Sequence, residues 1–254
     1  MAKTIHVHFL PELTSPEELR GATVVMIDVL RSSTTITEAL AVGAREVIPC
    51  VELEDVRTRG AELPREELVL GGERGGKKID LFDLGNSPTE YTAETVADKT
   101  VMFTTTNGMK ALHCAREAYE VLIGSPANLT AICNAIAETR NVHLLCAGTD
   151  GQITREDILA AGAITYQLTR KEETAPQIDD SANLARAAWR NVVAGAVAAG
   201  EPLAKRLAHE YRATLGGQNL LQIGLEHDLV TCAEIDRHAI VPKLDLRDWR
   251  IRLT

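Results

Sequence analysis

The segment VVMIDVLRSSTT, residues 24–35, decides the fold. It begins as an apolar strand, delivers the acid Asp28 and the cation Arg31, and continues into a hydroxyl-rich helix start. The same change from a short apolar run to a longer helical pattern recurs along the chain. This alternation predicts a three-layer α/β/α fold with a mainly parallel or mixed sheet. The predicted strands are 5–10, 23–30, 46–51, 68–71, 100–105, 121–124 and 141–146.

Helices are predicted between these strands, and their lengths suit crossover connections. Beyond residue 171 the pattern changes, because residues 172–180 are polar and the helices after them are rich in alanine. A last strand is predicted at 239–241. We expect one α/β domain over residues 1–254, in which 172–238 forms a helical appendage, a flanking layer or a second lobe. The predicted helices are 33–42, 53–63, 88–97, 108–118, 126–139 and 155–171.

Composition and charge exclude several classes of protein. The 254 residues carry a net charge of −9 and no run rich in lysine or arginine, so a nucleic-acid partner is not expected. Five scattered cysteines without a CxxC pair indicate neither a zinc site nor a disulfide framework. Neither a signal peptide nor an uncharged window of membrane-spanning length is found. We expect a cytoplasmic protein without a membrane partner, and we also expect a homo-oligomer, a dimer.

A second window, GGERGGKKIDLFDLGNSPTEY at residues 71–91, concentrates glycines and charged residues. Clustered glycines let backbone N–H groups approach an anion, and a carboxylate such as Glu73 can bind a hard cation. Arg74, Lys77 and Lys78 could meet a phosphate or sulfonate. Ser87 precedes a helix that starts with proline. The alternative is a surface loop whose charges are only solvated. The functional interpretation predicts an anion and metal site.

Polar residues follow the carboxyl ends of several predicted strands. Asp28 and Arg31 follow the second strand, Glu73 and Arg74 the fourth, the segment TTTNG at 104–108 the fifth, and Asp150 the seventh. Ligands of open α/β sheets bind outside these ends, so residues far apart in sequence should converge on one edge of the sheet.

Asp28 could ligate a cation or attack phosphorus. A haloacid-dehalogenase-type phosphatase would need a second acid two residues later, where this chain has Leu30, so that mechanism is disfavoured. The structural alternative is that Asp28 caps the following helix and pairs with Arg31.

Two more motifs have both structural and functional interpretations. Thr105, Thr106 and Asn107 precede a helix and could hold phosphate or sulfonate oxygens, although threonine runs also occur in plain strands. The segment TRED at 154–157 is a helix capping box, which is a sufficient structural reason for its last residue; the functional alternative is that Glu156 or Asp157 is a metal ligand. Asp228 is expected on a polar, salt-linked helix.

These motifs resemble, in set and order, the 2-phosphosulfolactate phosphatase family, the ComB-like proteins of coenzyme M biosynthesis. The resemblance covers most of the chain. It rests on IDVLR at 27–31, GER at 72–74, FDLGNSP at 82–88, TTTNG at 104–108 and ED at 156–157 with AG at 161–162, and more weakly on 217–242.

The resemblance implies a Mg²⁺-dependent hydrolase that converts (2R)-2-phospho-3-sulfolactate into 3-sulfolactate and phosphate. That small substrate carries phosphate, sulfonate and carboxylate groups, which agrees with the multi-anion pocket inferred from the residues. Leu81 and Met109 depart from the family pattern, in which a glycine and a small polar residue are more usual.

Three groups of site residues follow from these observations. The predicted Mg²⁺ ligands are Asp28, Glu73 and Asp157. The predicted catalytic residues are Asp28, Arg31 and Arg74, and the predicted substrate-binding residues are Asn86, Ser87, Thr105, Thr106 and Asn107.

Other functions are compatible with the same residues. One is a phosphatase of another small phosphorylated hydroxy acid, and another is a non-catalytic binder of a phosphorylated or sulfonated metabolite. A phosphoryl or nucleotidyl transferase is disfavoured, because neither a GxxxxGK[S/T] loop nor a GxGxxG turn after a strand is present.

Overall fold

The computed structural model describes residues 3–170 and 176–253. Within these residues, helices pack on both faces of a mixed sheet of 11 strands, which confirms the predicted α/β/α class. The strands are β1 Thr4–His8, β2 Thr23–Ile27, β3 Glu46–Pro49, β4 Leu68–Arg74, β5 Lys77–Lys78, β6 Thr100–Thr104, β7 Glu120–Gly124, β8 Asn141–Cys146, β9 Gln177–Ile178, β10 Pro242–Asp245 and β11 Arg250–Leu253. The helices are α1 Ser32–Ala41, α2 Leu53–Gly60, α3 Ala93–Val96, α4 Gly108–Cys114, α5 Leu129–Ala135, α6 Arg155–Arg170, α7 Asp180–Ala199, α8 Leu203–Tyr211, α9 Leu215–Gln222 and α10 Glu226–Thr231.

Apart from the edge strand β5, which is antiparallel to β4, the sheet consists of two parallel blocks joined by an antiparallel hairpin. Its order is β5-β4-β6-β3-β11-β10-β7-β2-β8-β1-β9. The hairpin of β10 and β11 pairs with β7 on one side and with β3 on the other. The predicted strand at 239–241 is wrong, because the extended segment begins at Pro242 and is the first half of this hairpin. The two short strands are rich in charged residues, so neither shows a clear apolar alternation in the sequence.

The strand β2 explains the three layers, because each of its residues is buried. Val24 and Met26 contact a core cluster that includes α1 and α4, whereas Val25 and Ile27 contact a cluster that includes α5 and α6. Burial on both faces is typical of parallel strands and accounts for their continuous apolar runs.

The alanine-rich helices extend the layer that contains α5 and α6. Trp189 of α7, Leu207 of α8, Leu220 of α9 and Leu229 of α10 join the same core cluster as α6. Residues 171–175, which include the end of the predicted helix 155–171 and the start of the predicted segment 172–238, lie outside the described residues. The single-domain assignment stays a prediction. Within the described residues, no helix combines the length and apolarity needed to cross a bilayer.

The predicted helix 88–97 is interrupted in the structure. It consists of a 3₁₀ turn, Pro88–Glu90, and the short helix α3, Ala93–Val96. Between them Tyr91 has an extended backbone and is buried, and its hydroxyl donates a hydrogen bond to the carbonyl of Gly85 at 2.8 Å. The tertiary contact of this side chain overrides the local helix signal.

Two neighbouring strands carry a histidine pair, of which His143 is buried and His8 is partly buried. His8 Nε2 and His143 Nδ1 are 2.8 Å apart, and His143 Nε2 is 3.1 Å from Asn141 Oδ1. An asparagine oxygen only accepts, so His143 donates through Nε2 and accepts from His8 through Nδ1. Burial, and then the neighbouring His8 and His6, lower the pKa of His143 to about 4.

This pair should make stability depend on pH. The unfolded imidazole titrates at about 6.5, so between that pH and about 4 the unfolded chain binds a proton that native His143 does not. The free energy of unfolding should therefore fall as the pH is lowered through this interval. Urea unfolding at pH 7 and pH 5 should show a smaller loss for His143→Gln than for the wild type. The exposed His113 is the control, and an unchanged loss in His143→Gln would contradict the assignment.

Candidate active site

Asp28 directly follows β2 and is 6% exposed. Its Oδ1 accepts a hydrogen bond from the backbone N–H of Ser32, 3.3 Å away, so the start of α1 holds the carboxylate. A Cβ added at Gly108 would lie 2.9 Å from Asp28 Oδ2 and 2.6 Å from Ser32 Oγ. Glycine at the start of α4 therefore allows that helix to approach the carboxylate.

Glu73 lies near the carboxyl end of β4 and is also 6% exposed. Its Oε1 accepts from the backbone N–H of Thr106 at 2.7 Å, and its Oε2 accepts from that of Gly76 at 2.6 Å. The carboxylate thus connects β4, the turn before β5 and the loop after β6. Each oxygen has a further lone pair available for another partner.

The carboxylates of Asp28 and Glu73 line the same cavity, of about 290 Å³. The strands that carry the site are not adjacent, since β3, β11, β10 and β7 lie between β6 and β2. Contacts between the loops close this gap, because Ser32 Oγ lies 2.8 Å from Thr105 Oγ1. The predicted residues that line this cavity are Asp28, Arg31, Glu73, Asn86, Thr106 and Asn107.

Asp28 is the centre of a group of buried acids. Its pKa is raised to about 6, first because burial disfavours the charged form and also because Glu73 is negatively charged. The pKa of Glu156 is raised to about 7, first by burial and also by the charge of Asp28. Burial, and then Asp28 and Glu156, raise the pKa of Asp157 well above its usual range. Strongly perturbed carboxyl pKa values of this kind are typical of functional sites.

Arg31 is buried in the cavity wall and is held at both terminal nitrogens. Its Nη1 donates to Asp228 Oδ2 at 2.7 Å, and its Nη2 donates to the carbonyl of Gly76 at 2.7 Å. Asp228 also accepts from Ser87 Oγ at 2.5 Å through its other oxygen. The exposed fractions of the Arg31 and Asp228 side chains are 3% and 0%, so this is a desolvated ion pair.

Three residues predicted to act in catalysis or substrate binding do not line the cavity. Arg74 donates instead to the carbonyls of Glu73 and Val51 and to Thr104 Oγ1. Thr105 contacts the cavity residue Ser32, and Ser87 contacts Asp228. Their predicted roles in catalysis or substrate binding stay predictions.

Asp157 also lies outside the residues that line the cavity. Its Oδ1 accepts from the N–H of Val29 at 2.8 Å, and its Oδ2 accepts from the N–H of Gly148 at 3.0 Å. It thereby connects the segment after β2 to the segment after β8. In residues 3–170 and 176–253, no three His, Cys, Asp or Glu side chains are arranged to hold one metal ion. The assignment of Asp157 as a Mg²⁺ ligand stays a prediction.

The sequence interpretation missed two parts of the site. The first is the partner of Asp228: this residue lies on a helix and is salt-linked, as expected, but it is buried and anchors Arg31 of the cavity wall. The second is the wall that α9 contributes, to which only the weak motif at 217–242 pointed. Asp150, which follows β8, was expected at this edge of the sheet and does line the cavity. The other additional lining residues are Thr149, Gly216, Asn219, Leu220, Gln222 and Ile223.

Comparison with known proteins agrees with this arrangement. A family model described as 2-phosphosulpholactate phosphatase matches residues 8–246. A probable 2-phosphosulfolactate phosphatase of Caldanaerobacter subterraneus subsp. tengcongensis is 36% identical over 228 residues, which is 89% of this chain and 89% of that protein. A probable 2-phosphosulfolactate phosphatase of Pseudothermotoga lettingae is 36% identical over 238 residues, which is 94% of each chain. One of Symbiobacterium thermophilum is 36% identical over 227 residues, 89% of this chain and 92% of that protein. The chain therefore belongs to the 2-phosphosulfolactate phosphatase family.

Proposed function

We propose that this protein is a Mg²⁺-dependent phosphatase that hydrolyses (2R)-2-phospho-3-sulfolactate to 3-sulfolactate and phosphate. This is the reaction type of coenzyme M biosynthesis, and we propose that it takes place in the cytoplasm. Membership of the family supports the reaction. The observation that carries the proposal is that Asp28 and Glu73 meet in one cavity beside the buried Arg31.

The oxygen atoms around the cavity fit Mg²⁺. This ion prefers oxygen ligands, keeps several waters, and is commonly held by one or two carboxylates together with substrate phosphate oxygens. Asp28 and Glu73 would supply the carboxylates, and Asn86 Oδ1, which is buried and has no hydrogen-bond partner in the described part of the chain, is a third oxygen at the cavity. Asp157 could join them only by weakening its bond to Val29 or Gly148. A bound Mg²⁺ would neutralise phosphoryl charge and lower the pKa of a bound water.

The residues of the chain have separate roles in the proposed hydrolysis. A water oxygen bonds to phosphorus and releases a proton, the bond from phosphorus to the C2 oxygen breaks, and the C2 oxygen takes up a proton, so that one water is consumed. Arg31 offsets negative charge on the transferring phosphoryl group from a fixed position. The side chains of Thr106 and Asn107 line the cavity and donate hydrogen bonds to substrate oxygens. Arg74 stays a candidate catalytic residue. It lies outside the residues that line the cavity and would act through its hydrogen bond to the carbonyl of Glu73.

Phosphate release from 2-phosphosulfolactate tests the proposal directly. We expect turnover with Mg²⁺, loss of turnover with excess EDTA, and recovery when Mg²⁺ is added back. A parallel series with 2-phospholactate and phosphoglycolate measures preference for the sulfonated substrate. If the protein binds phosphosulfolactate but releases no phosphate with Mg²⁺, it is a binding protein and the proposal is wrong. If only the other esters turn over, the substrate assignment is wrong.

A further inference from the structure

The cavity contains little positive charge for an anionic substrate. Among the described residues that line it, Asp28, Glu73 and Asp150 are acidic and Arg31 is the one cation. Both terminal nitrogens of Arg31 are already engaged, by a carboxylate and by a backbone carbonyl. The proposed substrate carries a sulfonate and a carboxylate besides its phosphate. In the proposed hydrolysis, Arg31 and a metal ion at the two carboxylates would offset the charge of the phosphate group. The sulfonate end of the substrate therefore needs a different cation.

The hairpin of β4 and β5 presents one of its two lysines on the cavity side. Its register pairs Glu73 with Lys78 and Arg74 with Lys77. Residues directly opposite each other in an antiparallel pair extend their side chains from the same face, and successive residues alternate between faces. Because Glu73 lines the cavity, Lys78 lies on the cavity face and Lys77 on the opposite face.

Contacts of Lys78 place it beside the cavity wall. A Cβ added at Gly85 would lie 3.4 Å from Lys78 Cβ, and Gly85 directly precedes the lining residue Asn86. The nearby Glu90 already has a partner, because its Oε2 accepts a hydrogen bond from the N–H of Gly85 at 2.6 Å. Lys78 is exposed and forms no ion pair with an acid in 3–170 or 176–253. Its ammonium group is therefore available to a ligand.

We propose that Lys78 binds the sulfonate of the substrate at the edge of the cavity and thereby determines specificity for the sulfonated ester. The proposal rests on the proposed function for the identity of the substrate. It assigns no role in bond breaking to Lys78, so the residue should affect substrate binding and leave the chemical step unchanged.

Kinetics on two substrates test this role. Lys78→Gln should raise KM for 2-phosphosulfolactate by about five- to tenfold, the effect of one partly exposed charged contact, with kcat unchanged. For 2-phospholactate, which lacks the sulfonate, the change should be below about twofold, within the range of a weak surface charge effect. Lys77→Gln is the matched control, since it removes the same charge from the opposite face. Lys78→Arg should retain most of the wild-type KM.

Calorimetric titration with 3-sulfolactate and lactate in the presence of Mg²⁺ separates this proposal from the proposed hydrolysis. Weaker binding of sulfolactate to Lys78→Gln, with wild-type binding to Lys77→Gln, would support the role of Lys78 even in a protein that releases no phosphate. Equal losses in both lysine variants would indicate general charge attraction and overturn the proposal. The proposal would also be overturned if Lys78→Gln lost the same affinity for sulfolactate and for lactate, or if it lost none. It would be overturned as well if the wild type did not bind sulfolactate.

Discussion

Replacing Asp28 with asparagine should reduce phosphate release from 2-phosphosulfolactate on the order of 10³-fold, the scale expected when one electrostatic group of an active site is removed. Asparagine has nearly the same shape, and its Oδ1 can still accept the hydrogen bond from Ser32 N–H. It cannot supply the negative charge that a metal ion at the cavity requires. The expected loss is therefore in kcat/KM, without a loss of folding.

The stability of Asp28→Asn distinguishes a lost function from a damaged fold. Burial and the charge of Glu73 raise the pKa of Asp28, which means that its charged form is destabilised in the native protein. Removing that charge should leave the free energy of unfolding unchanged or increase it. An inactive variant with a lowered urea midpoint would argue for a structural role instead. Wild-type turnover in Asp28→Asn would show that the functional role assigned to Asp28 is wrong.

Two further variants extend this experiment: Glu73→Gln tests the second carboxylate of the cavity, and Asp80→Asn is its control. Glutamine keeps one acceptor oxygen, whereas Glu73 accepts from both Thr106 and Gly76. Besides losing activity, Glu73→Gln should thus lose about 1–3 kcal/mol of stability, the cost of one unsatisfied buried group. The exposed Asp80 lies in the same window of sequence, and its replacement should change neither property.

Local features of the fold could be predicted from the sequence. The order of strand, Asp28 and helix was predicted for β2 and α1. The helix was predicted at 33–42, and in the structure it is Ser32–Ala41. Both the apolar strand and the helix start are encoded within one short window, so no distant contact is needed to recognise them. The convergence of Asp28 and Glu73 could be anticipated from the rule that ligands bind outside the carboxyl ends of strands.

Features that depend on contacts distant in sequence could not be predicted. Ile251 of β11 pairs with Val47 across the sheet, and Lys243 of β10 pairs with Leu122, so the position of this hairpin depends on partners far away in the sequence. Asp228 is indistinguishable in sequence from an acid on a solvated helix, and only the folded chain brings it to Arg31. Leu81 is a smaller case: it has a φ of 69° and is 97% exposed, which explains physically why a glycine would suit that position better.

The ion pair of Arg31 and Asp228 leads to the second large effect. Asp228→Ala should lower the free energy of unfolding by about 3–5 kcal/mol, because it leaves a buried guanidinium without its counter-ion. The side chains are 3% and 0% exposed, so water cannot replace the lost carboxylate. Ser87 Oγ would also lose its acceptor. Phosphate release should fall as well, because Arg31 would no longer be held in the cavity wall.

A double variant separates the charge effect from the loss of packing. Arg31→Met with Asp228→Leu removes both charges and should recover much of the stability that Asp228→Ala loses, while remaining inactive. The exposed pair of Arg57 and Glu54 provides the control, since their side chains are 81% and 76% exposed. Glu54→Ala should change stability by less than about 1 kcal/mol. If Asp228→Ala behaved like Glu54→Ala in urea unfolding, Arg31 would have another counter-ion in solution, and the anchoring role of Asp228 would be wrong.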